Sequence, residues 1–328
     1  YRYSCRWRFD FNASKSNIVV FGSDKCYECD ISLGNDNVDI VNGDKQMGVM
    51  LTNYKRTQQE FIDDRISGAK RSFYAVRSIG NRQSPVGPVI LSKLYWSISI
   101  SKMMYGLEVL SLDCSEIQRL ENVHTNIAKQ IQGLPKQTAN AGCLAILCLS
   151  IDNIYRRIAI VRLAYALYSM HETQLGPCTE IVKSFAKYGI LNMLKNAIDT
   201  GVVMRMESAK HLIKSSVMSH EKERFRCTTM MYNTLHIYNQ YIDSIQMWPW
   251  WTYIQQNPSA VKKCMILLRM LVGQTCFRCD TYRFGKHSSL CVLCDQFVPE
   301  TLQHVLFECE LYNEVRKRFW EPVKRLLE

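Results

Sequence analysis

The feature that most constrains this chain is a group of metal-binding residue types near its C-terminus, in the stretch CVLCDQFVPETLQHVLFEC. Cys291, Cys294, His304 and Cys309 follow the spacing C-x2-C-x9-H-x4-C. Thiolates and imidazole are ligands that Zn²⁺ prefers, and four protein ligands complete its tetrahedron without leaving a position for water. The spacing therefore predicts a structural zinc ion that stabilises a small module. The alternative is that these are core cysteines without a metal.

A second CxxC pair, Cys276 and Cys279, precedes this group. It could form a four-cysteine ribbon with the first two cysteines of the motif, at a spacing that zinc accepts. That arrangement would leave the histidine and the last cysteine without a metal. We therefore favour one zinc ion and treat Cys276 and Cys279 as an accessory possibility, with a pair that does not bind metal as the favoured interpretation. His287 would give a second site only three ligands.

Two other kinds of cysteine chemistry are less well supported. Cys26 and Cys29 form a third CxxC, but the segment around them is polar, and a redox motif would need a helix start after its first cysteine. A nucleobase deaminase needs a His-x-Glu pair ahead of its CxxC, and no histidine of this sequence is followed two residues later by glutamate. We interpret the Cys26–Cys29 spacing as a chance occurrence and exclude a deaminase.

The stretch FIDD, Phe61 to Asp64, spells the metal-binding signature of a reverse transcriptase. Such paired carboxylates hold two Mg²⁺ ions from a hairpin between apolar strands. Here the apolar residues instead recur at steps of four and three, which predicts an amphipathic helix. The residues of this apolar stripe are Ile62, Ile66, Ala69, Phe73 and Val76. Asp63 and Asp64 are therefore expected on a solvated helix face, with no catalytic metal.

Composition narrows the class of protein only moderately. Lys and Arg outnumber Asp and Glu by 41 to 30, which fits either a solvated basic surface or contact with a nucleic acid backbone. The sequence lacks an apolar run of about 18 residues and a recognisable leader, so we expect no membrane span. We expect reduced thiols in an intracellular protein, in the nucleus, the cytoplasm or both. A first residue of Tyr1 suggests that a segment upstream is missing.

Local patterns predict an α+β chain that is mostly α-helical. Residues 1–52 are expected to be extended, with a strand-like alternation from Met47 to Leu51. Helices are predicted near 57–79, 86–106 and 115–132, the last with Ser115 as its N-cap. The expected segments are a β-rich start, a helical body, a helical connector that includes a tryptophan-rich stretch, and a zinc-binding module: 1–52, 53–135, 136–260 and 261–328.

The beginning of the chain resembles a known family. CRWRFDFNASKSNIVVFG is similar to the segment that follows the catalytic hairpin in reverse transcriptases of non-LTR (LINE-type) retrotransposons, with Asn12, Ser14, Lys15 and Ser16 at the matching positions. KQMGVML resembles the hairpin that grips the primer, with Gly48 at its turn. The helices that follow look like the thumb, and the C-terminal Cys/His segment matches the zinc-binding segment of that family.

The resemblance implies a specific part of a polymerase. It implies a palm remnant, a helical thumb and a zinc module, with the fingers and catalytic aspartates upstream of Tyr1. Mg²⁺ would then act only in the complete polymerase, and the partners would be an RNA/DNA primer–template and that upstream part. Lys15 would lie near the departing pyrophosphate, or would be an ordinary surface lysine. The candidate phosphate-binding residues are Lys15, Arg156, Arg157, Arg162, Arg278, Arg316, Lys317 and Arg318.

Two other functional hypotheses stay open. The chain could be a zinc-stabilised helical interaction protein in which the Trp248, Trp250 and Trp251 cluster binds a partner, although a hydrophobic core position is the simpler interpretation of those rings. It could also be a decayed fragment without a selected function. The sequence alone does not separate these hypotheses.

Overall fold

The computed structural model describes most of the chain, in the following residues: 2–21, 31–33, 36–52, 54–79, 87–147, 149, 153–169, 179–200, 205–241, 249–275, 277–282, 285 and 288–327. Several residues that the sequence singled out lie outside the described residues: Cys26, Cys29, Trp248, Cys276 and His287.

The prediction of a mostly helical α+β chain is confirmed. The α-helices are α1 Arg2–Trp7, α2 Lys55–Arg77, α3 Pro88–Leu94, α4 Ser101–Met104, α5 Cys114–Ile131, α6 Asn140–Ile146, α7 Asn153–Ser169, α8 Thr179–Lys187, α9 Leu191–Thr200, α10 Met206–Met230, α11 His236–Tyr241, α12 Pro249–Gln256, α13 Val261–Leu271, α14 Arg278–Thr281 and α15 Asn313–Leu327. The strands are β1 Asn17–Ile18, β2 Ser32–Leu33, β3 Asp36–Asn37, β4 Asp39–Ile40, β5 Gly43–Gln46 and β6 Val49–Thr52. None of the helices in the described ranges has the length and hydropathy that a membrane crossing requires.

Three two-stranded pairings make up the β structure in the described part of the chain. β1 pairs in parallel with β4, β2 pairs antiparallel with β3, and β5 pairs antiparallel with β6. The expectation of extended structure is wrong for Arg2–Trp7, which is helical, and for Ala13–Lys15, which forms a 3-10 turn.

The β5–β6 hairpin turns at Met47 and Gly48, and the resemblance predicted the turn at Gly48. The expected strand-like alternation from Met47 to Leu51 is wrong for these two residues, because the second strand begins at Val49. Both residues have positive φ, of 49° and 79°, which is the conformation of a two-residue hairpin turn and explains the glycine. The turn is fixed from outside, because the Arg65 guanidinium donates to the Gly48 carbonyl at 2.5 Å and the Tyr105 hydroxyl donates to the Met47 carbonyl at 2.7 Å. The hairpin is therefore attached to α2 and to the end of α4.

Helix α2 carries the FIDD stretch and confirms the helical interpretation. All five residues of the predicted apolar stripe are buried, with Ile62, Ala69 and Phe73 fully enclosed. Asp63 and Asp64 are exposed and pair with cations, Asp63 with Arg119 and Asp64 with Arg71. Burying each large stripe residue contributes about 1.5–3 kcal/mol before entropy is subtracted, so packing accounts for the helix.

Helix α5 is capped by a residue two positions before the one that the sequence analysis proposed. Asp113, and not Ser115, is the N-cap: its carboxylate accepts the Glu116 N–H at 2.8 Å. The Glu116 carboxylate in turn accepts the Asp113 N–H at 2.9 Å, which completes a capping box. Lys55 lies 2.8 Å from both carboxylates and links α2 to this helix start. Ser115 was the wrong choice because its hydroxyl donates to Asp113 instead.

The chain divides into two compact units that interleave along the sequence. The first contains Tyr1–Val86, Lys93–His124 and Asp152–Val217, and its core includes Leu163, Phe185 and Ile213 from α7, α8 and α10. The second contains Gly87–Ser92, Thr125–Ile151 and Met218–Glu328. The four segments expected from the sequence stay a prediction.

The second unit has its own core, and the tryptophan-rich stretch contributes to it. Trp251 on α12 is fully buried, as a core interpretation of that ring predicts. Gly142 on α6 lies so close to Leu235 that a Cβ atom there would come within 2.8 Å of its side chain. Close packing of this kind requires a small residue at that position of the helix.

Candidate metal centre

The first two cysteines of the motif lie on a short hairpin-like segment of the second unit. Leu290 and Pro299 form an isolated antiparallel bridge, and the Cys291 N–H donates to the Val298 carbonyl at 2.8 Å. Between Cys291 and Val298 the chain reverses its direction, and Phe297 in this reversal has a φ of 50°. This reversal holds Cys291 and Cys294 on the same side of the loop, as a zinc-binding CxxC requires.

His304 and Cys309 lie at the two ends of a π-helical turn, His304–Glu308. The Cys309 N–H donates to the His304 carbonyl, five residues earlier, at 2.7 Å. A spacing of five residues would place the two side chains on different faces of an α-helix, whereas a π turn stacks them one above the other. The Thr301 hydroxyl accepts the His304 N–H at 3.0 Å and fixes the start of the turn.

These two segments bring all four predicted ligands together. One ligand atom from each of Cys291, Cys294, His304 and Cys309 lies within 4.8 Å of every other. The Cys294 Sγ and the His304 Nε2 are 3.3 Å apart, close to the edge of a tetrahedron whose bonds are about 2.0–2.3 Å long. His304 and Cys309 are 2% and 0% exposed. The described residues contain one such group, and it can hold a metal ion.

The charges around the two cysteines of the CxxC differ. Burial disfavours the Cys291 thiolate, but hydrogen bonds that include the Leu293 N–H outweigh it and lower the pKa of the Cys291 thiol. The Gln296 N–H favours the Cys294 thiolate, yet burial and the neighbouring sulfurs raise the pKa of that thiol. Two neighbouring thiolates repel each other. A divalent cation would offset this repulsion, because it compensates the charge of both sulfurs at once.

The remaining nitrogen of the histidine faces a carboxylate. The His304 Nδ1 is buried without a hydrogen bond within the usual distance, and the nearest Glu308 carboxylate oxygen lies 3.7 Å away. A histidine that binds a metal through Nε2 carries its proton on Nδ1, and a carboxylate is a common acceptor for it. The donor set and this arrangement both fit a bound metal ion.

The accessory ligands are not brought into this group where the structure describes them. Cys279 lies on α14, outside the four-residue cluster. Its pKa is raised to about 11, first by burial and then by the nearby Asp280 and Glu300 carboxylates. The thiolate is the form that binds a metal, so a thiol with a raised pKa is a weaker metal ligand. Cys276 lies outside the described residues, so its accessory role stays a prediction.

The predicted phosphate-binding arginines of α7 have three different environments. Arg156 is 9% exposed and donates to the Asn153 side chain at 2.6 Å, so its guanidinium is not presented to solvent as binding a phosphate would require. Arg162 donates to backbone carbonyls in the segment that follows α4, including that of Glu108 at 2.8 Å. Arg157 is exposed, with its guanidinium 4.0 Å from the centre of the Trp96 ring. Arg157 therefore fits the predicted role best.

The other predicted cations also differ. Lys15 is exposed on the 3-10 turn, and Arg318 is exposed on α15. Lys317 pairs with Glu314 at 3.0 Å, and Arg278 lies 3.8 Å from Glu300. Arg316 is half-buried and uses its guanidinium on groups beside the metal centre, which the sequence did not indicate.

Comparison of this chain with protein-family models, with curated proteins and with solved structures found no match. Its function must therefore be argued from the residues themselves.

Proposed function

We propose that the Cys3His group binds a structural Zn²⁺ ion. The observation that carries this proposal is the convergence of three sulfurs and one imidazole nitrogen within 4.8 Å. This donor set favours Zn²⁺ over Mg²⁺ or Ca²⁺, which prefer oxygen ligands. Four protein ligands leave no position for a substrate or water, so the ion would stabilise the module and would not catalyse a reaction.

We further propose that the chain is the non-catalytic C-terminal part of a LINE-type reverse transcriptase and binds primer–template nucleic acid. The order of elements supports this: the hairpin Gly43–Thr52, the helices α2 to α5, and a metal-binding module at the end. The attachment of the hairpin turn to Arg65 and Tyr105 supports it as well, because a primer-gripping loop must be held against the thumb. The upstream polymerase part would be its partner, in an intracellular setting.

The proposed nucleic acid binding is tested with the 328-residue chain and a fluorescently labelled RNA–DNA hybrid duplex, by anisotropy. Phosphate contacts release counterions, so the affinity should fall steeply between about 50 mM and 200 mM salt. Arg157→Ala should weaken binding and reduce the slope of log affinity against log salt by roughly 1. Arg226→Ala is the matched control, since Arg226 is also exposed and lies outside the predicted set.

The outcome distinguishes the competing hypotheses. Binding that does not change with salt would contradict a role for phosphate contacts. A chain that retains stoichiometric zinc but binds no duplex at low salt would instead favour the zinc-stabilised interaction protein.

A further inference from the structure

Arg316 on α15 contacts the metal centre from outside. Its Nη2 donates to the carbonyl of the ligand Cys309 at 2.5 Å and to the Asn313 side chain at 2.5 Å. Its Nη1 donates to the carbonyl of Val305, inside the π turn, at 3.3 Å. One planar guanidinium thus joins the π turn that carries His304, the last metal ligand and the first turn of α15.

These contacts satisfy backbone groups that the π turn itself cannot satisfy. The last carbonyls of a helix have no partner within it and need donors from elsewhere. The Cys309 carbonyl receives the Tyr312 N–H at 3.2 Å and the Arg316 guanidinium, so both of its lone pairs are used. Together with the Cys309 N–H, which donates to the His304 carbonyl at 2.7 Å, these bonds fix the backbone on both sides of the Cα atom that carries the sulfur.

We infer that Arg316 is a positioning residue for the metal centre: it holds Cys309 in its liganding orientation and joins α15 to the site. This inference rests on the proposed metal binding. A lysine could not replace Arg316 fully, because an ammonium group lacks the planar fork that reaches two carbonyls and an amide oxygen together. Mutation of a residue that supports a metal ligand from outside commonly lowers metal affinity by roughly 10- to 100-fold.

The same contacts predict a second consequence on the surface of the module. Trp320 on α15 stacks with Phe307 of the π turn, with ring centres 6.2 Å apart and an interplanar angle of 27°. The two rings, together with Arg316 and Lys317, line a groove. Because Arg316 connects both sides of this groove to the Cys309 carbonyl, removing the metal should separate the two rings.

The test compares Arg316→Lys with Arg318→Lys, a matched change at an exposed neighbour on the same helix. Zinc affinity is measured by competition with a chromogenic chelator, and Co²⁺ is substituted to record the visible spectrum of the site. We expect Arg316→Lys to weaken zinc binding by about 10- to 100-fold and to shift the Co²⁺ absorption bands, with Arg318→Lys unchanged. Removal of the metal with a chelator should change the tryptophan fluorescence of the wild-type chain. The change should be smaller in the Trp320→Phe variant.

Each outcome has a definite meaning. If the wild-type chain takes up no zinc or cobalt, the proposed metal centre itself fails. If it takes up metal and Arg316→Lys has the same affinity and Co²⁺ spectrum, only the role of Arg316 is overturned. Should Arg316→Lys fail to fold, Asn313→Ala keeps the arginine but removes one of its acceptors, and it should weaken zinc binding by a smaller factor. Unchanged affinity in that variant would overturn the inference.

Discussion

The Nδ1 of His124 lies 2.9 Å from the hydroxyl oxygen of Tyr95, and both side chains are buried in the first unit. The other ring nitrogen lies 3.3 Å from the side-chain nitrogen of Asn153, whose oxygen accepts from Arg156. Because Arg156 fixes the orientation of the Asn153 amide, that amide donates to Nε2, and the His124 proton is on Nδ1. His124 is therefore a neutral, structural histidine.

Acid should destabilise the fold through His124. Burial first, and then the charges of Arg157 and Arg156, lower its pKa from 6.5 to about 3. Between those values the unfolded chain binds a proton that the folded chain does not, so stability is full above the unfolded pKa and falls as the pH decreases. The expected contribution is about 1.4 kcal/mol per pH unit, measured by urea unfolding from about pH 7 to pH 4.

The control for this prediction is His124→Gln, which can keep two hydrogen bonds but cannot take up a proton. Its unfolding free energy should change less steeply with pH than that of the wild type, whatever its stability at neutral pH. Release of the proposed zinc ion by acid would affect both proteins equally and would cancel in the comparison. Equal slopes would contradict the depressed pKa of His124.

Loss of the proposed zinc ion should unfold the C-terminal module. Cys294→Ser replaces a ligand whose sulfur lies 3.3 Å from the His304 ring, and we expect it to abolish stoichiometric zinc binding. Zinc binding can contribute roughly 10–16 kcal/mol to folding a small module, so the loss should exceed that of an ordinary core substitution. Cys227→Ser, at an exposed cysteine outside the cluster, is the matched control. Metal content and protease resistance of residues 288–327 provide the measurement.

The start of α5 offers a direct comparison of two possible caps. Asp113→Ala removes the acceptor for the Glu116 N–H and the partner of Lys55, and should lower the free energy of unfolding. Ser115→Ala should cost clearly less, because its hydroxyl caps no backbone group. The hydrogen bonds of Asp113 also hold the pKa of its carboxyl well below the usual range, with Lys55 as the first cause. Equal losses in the two variants would contradict the capping box.

Periodicity and ligand spacing were sufficient for the parts of the fold that depend on local pattern. The stripe on α2 depends only on which face is apolar, and C-x2-C-x9-H-x4-C depends on ligand chemistry, so both could be predicted. The π turn that aligns His304 with Cys309 could not, since no helix propensity in the sequence indicates a π turn there.

The partners of long cations could not be predicted for a different reason. Arg162 and Arg316 both have the sequence appearance of surface charges, yet each donates to backbone carbonyls outside its own helix that folding brings near. Arg156 instead donates within its own helix, to the Asn153 side chain. A long side chain reaches across several residues, and nothing in its neighbours along the chain identifies what it reaches. The capping box at Asp113 was different: the sequence DCSE spelled it, and the serine beside it was chosen wrongly.

The paired aspartates of α2 give a final prediction that separates packing from chemistry. Ile62 is fully buried, so Ile62→Ala should lower the free energy of unfolding by about 2–5 kcal/mol. Asp64→Ala, two positions away on the exposed face, should change it by no more than about 0.5 kcal/mol. Asp64→Ala should also leave nucleic acid binding unaltered in the presence of Mg²⁺. A large Mg²⁺-dependent effect of Asp64→Ala, with little loss of stability from Ile62→Ala, would mean that FIDD is a metal site after all.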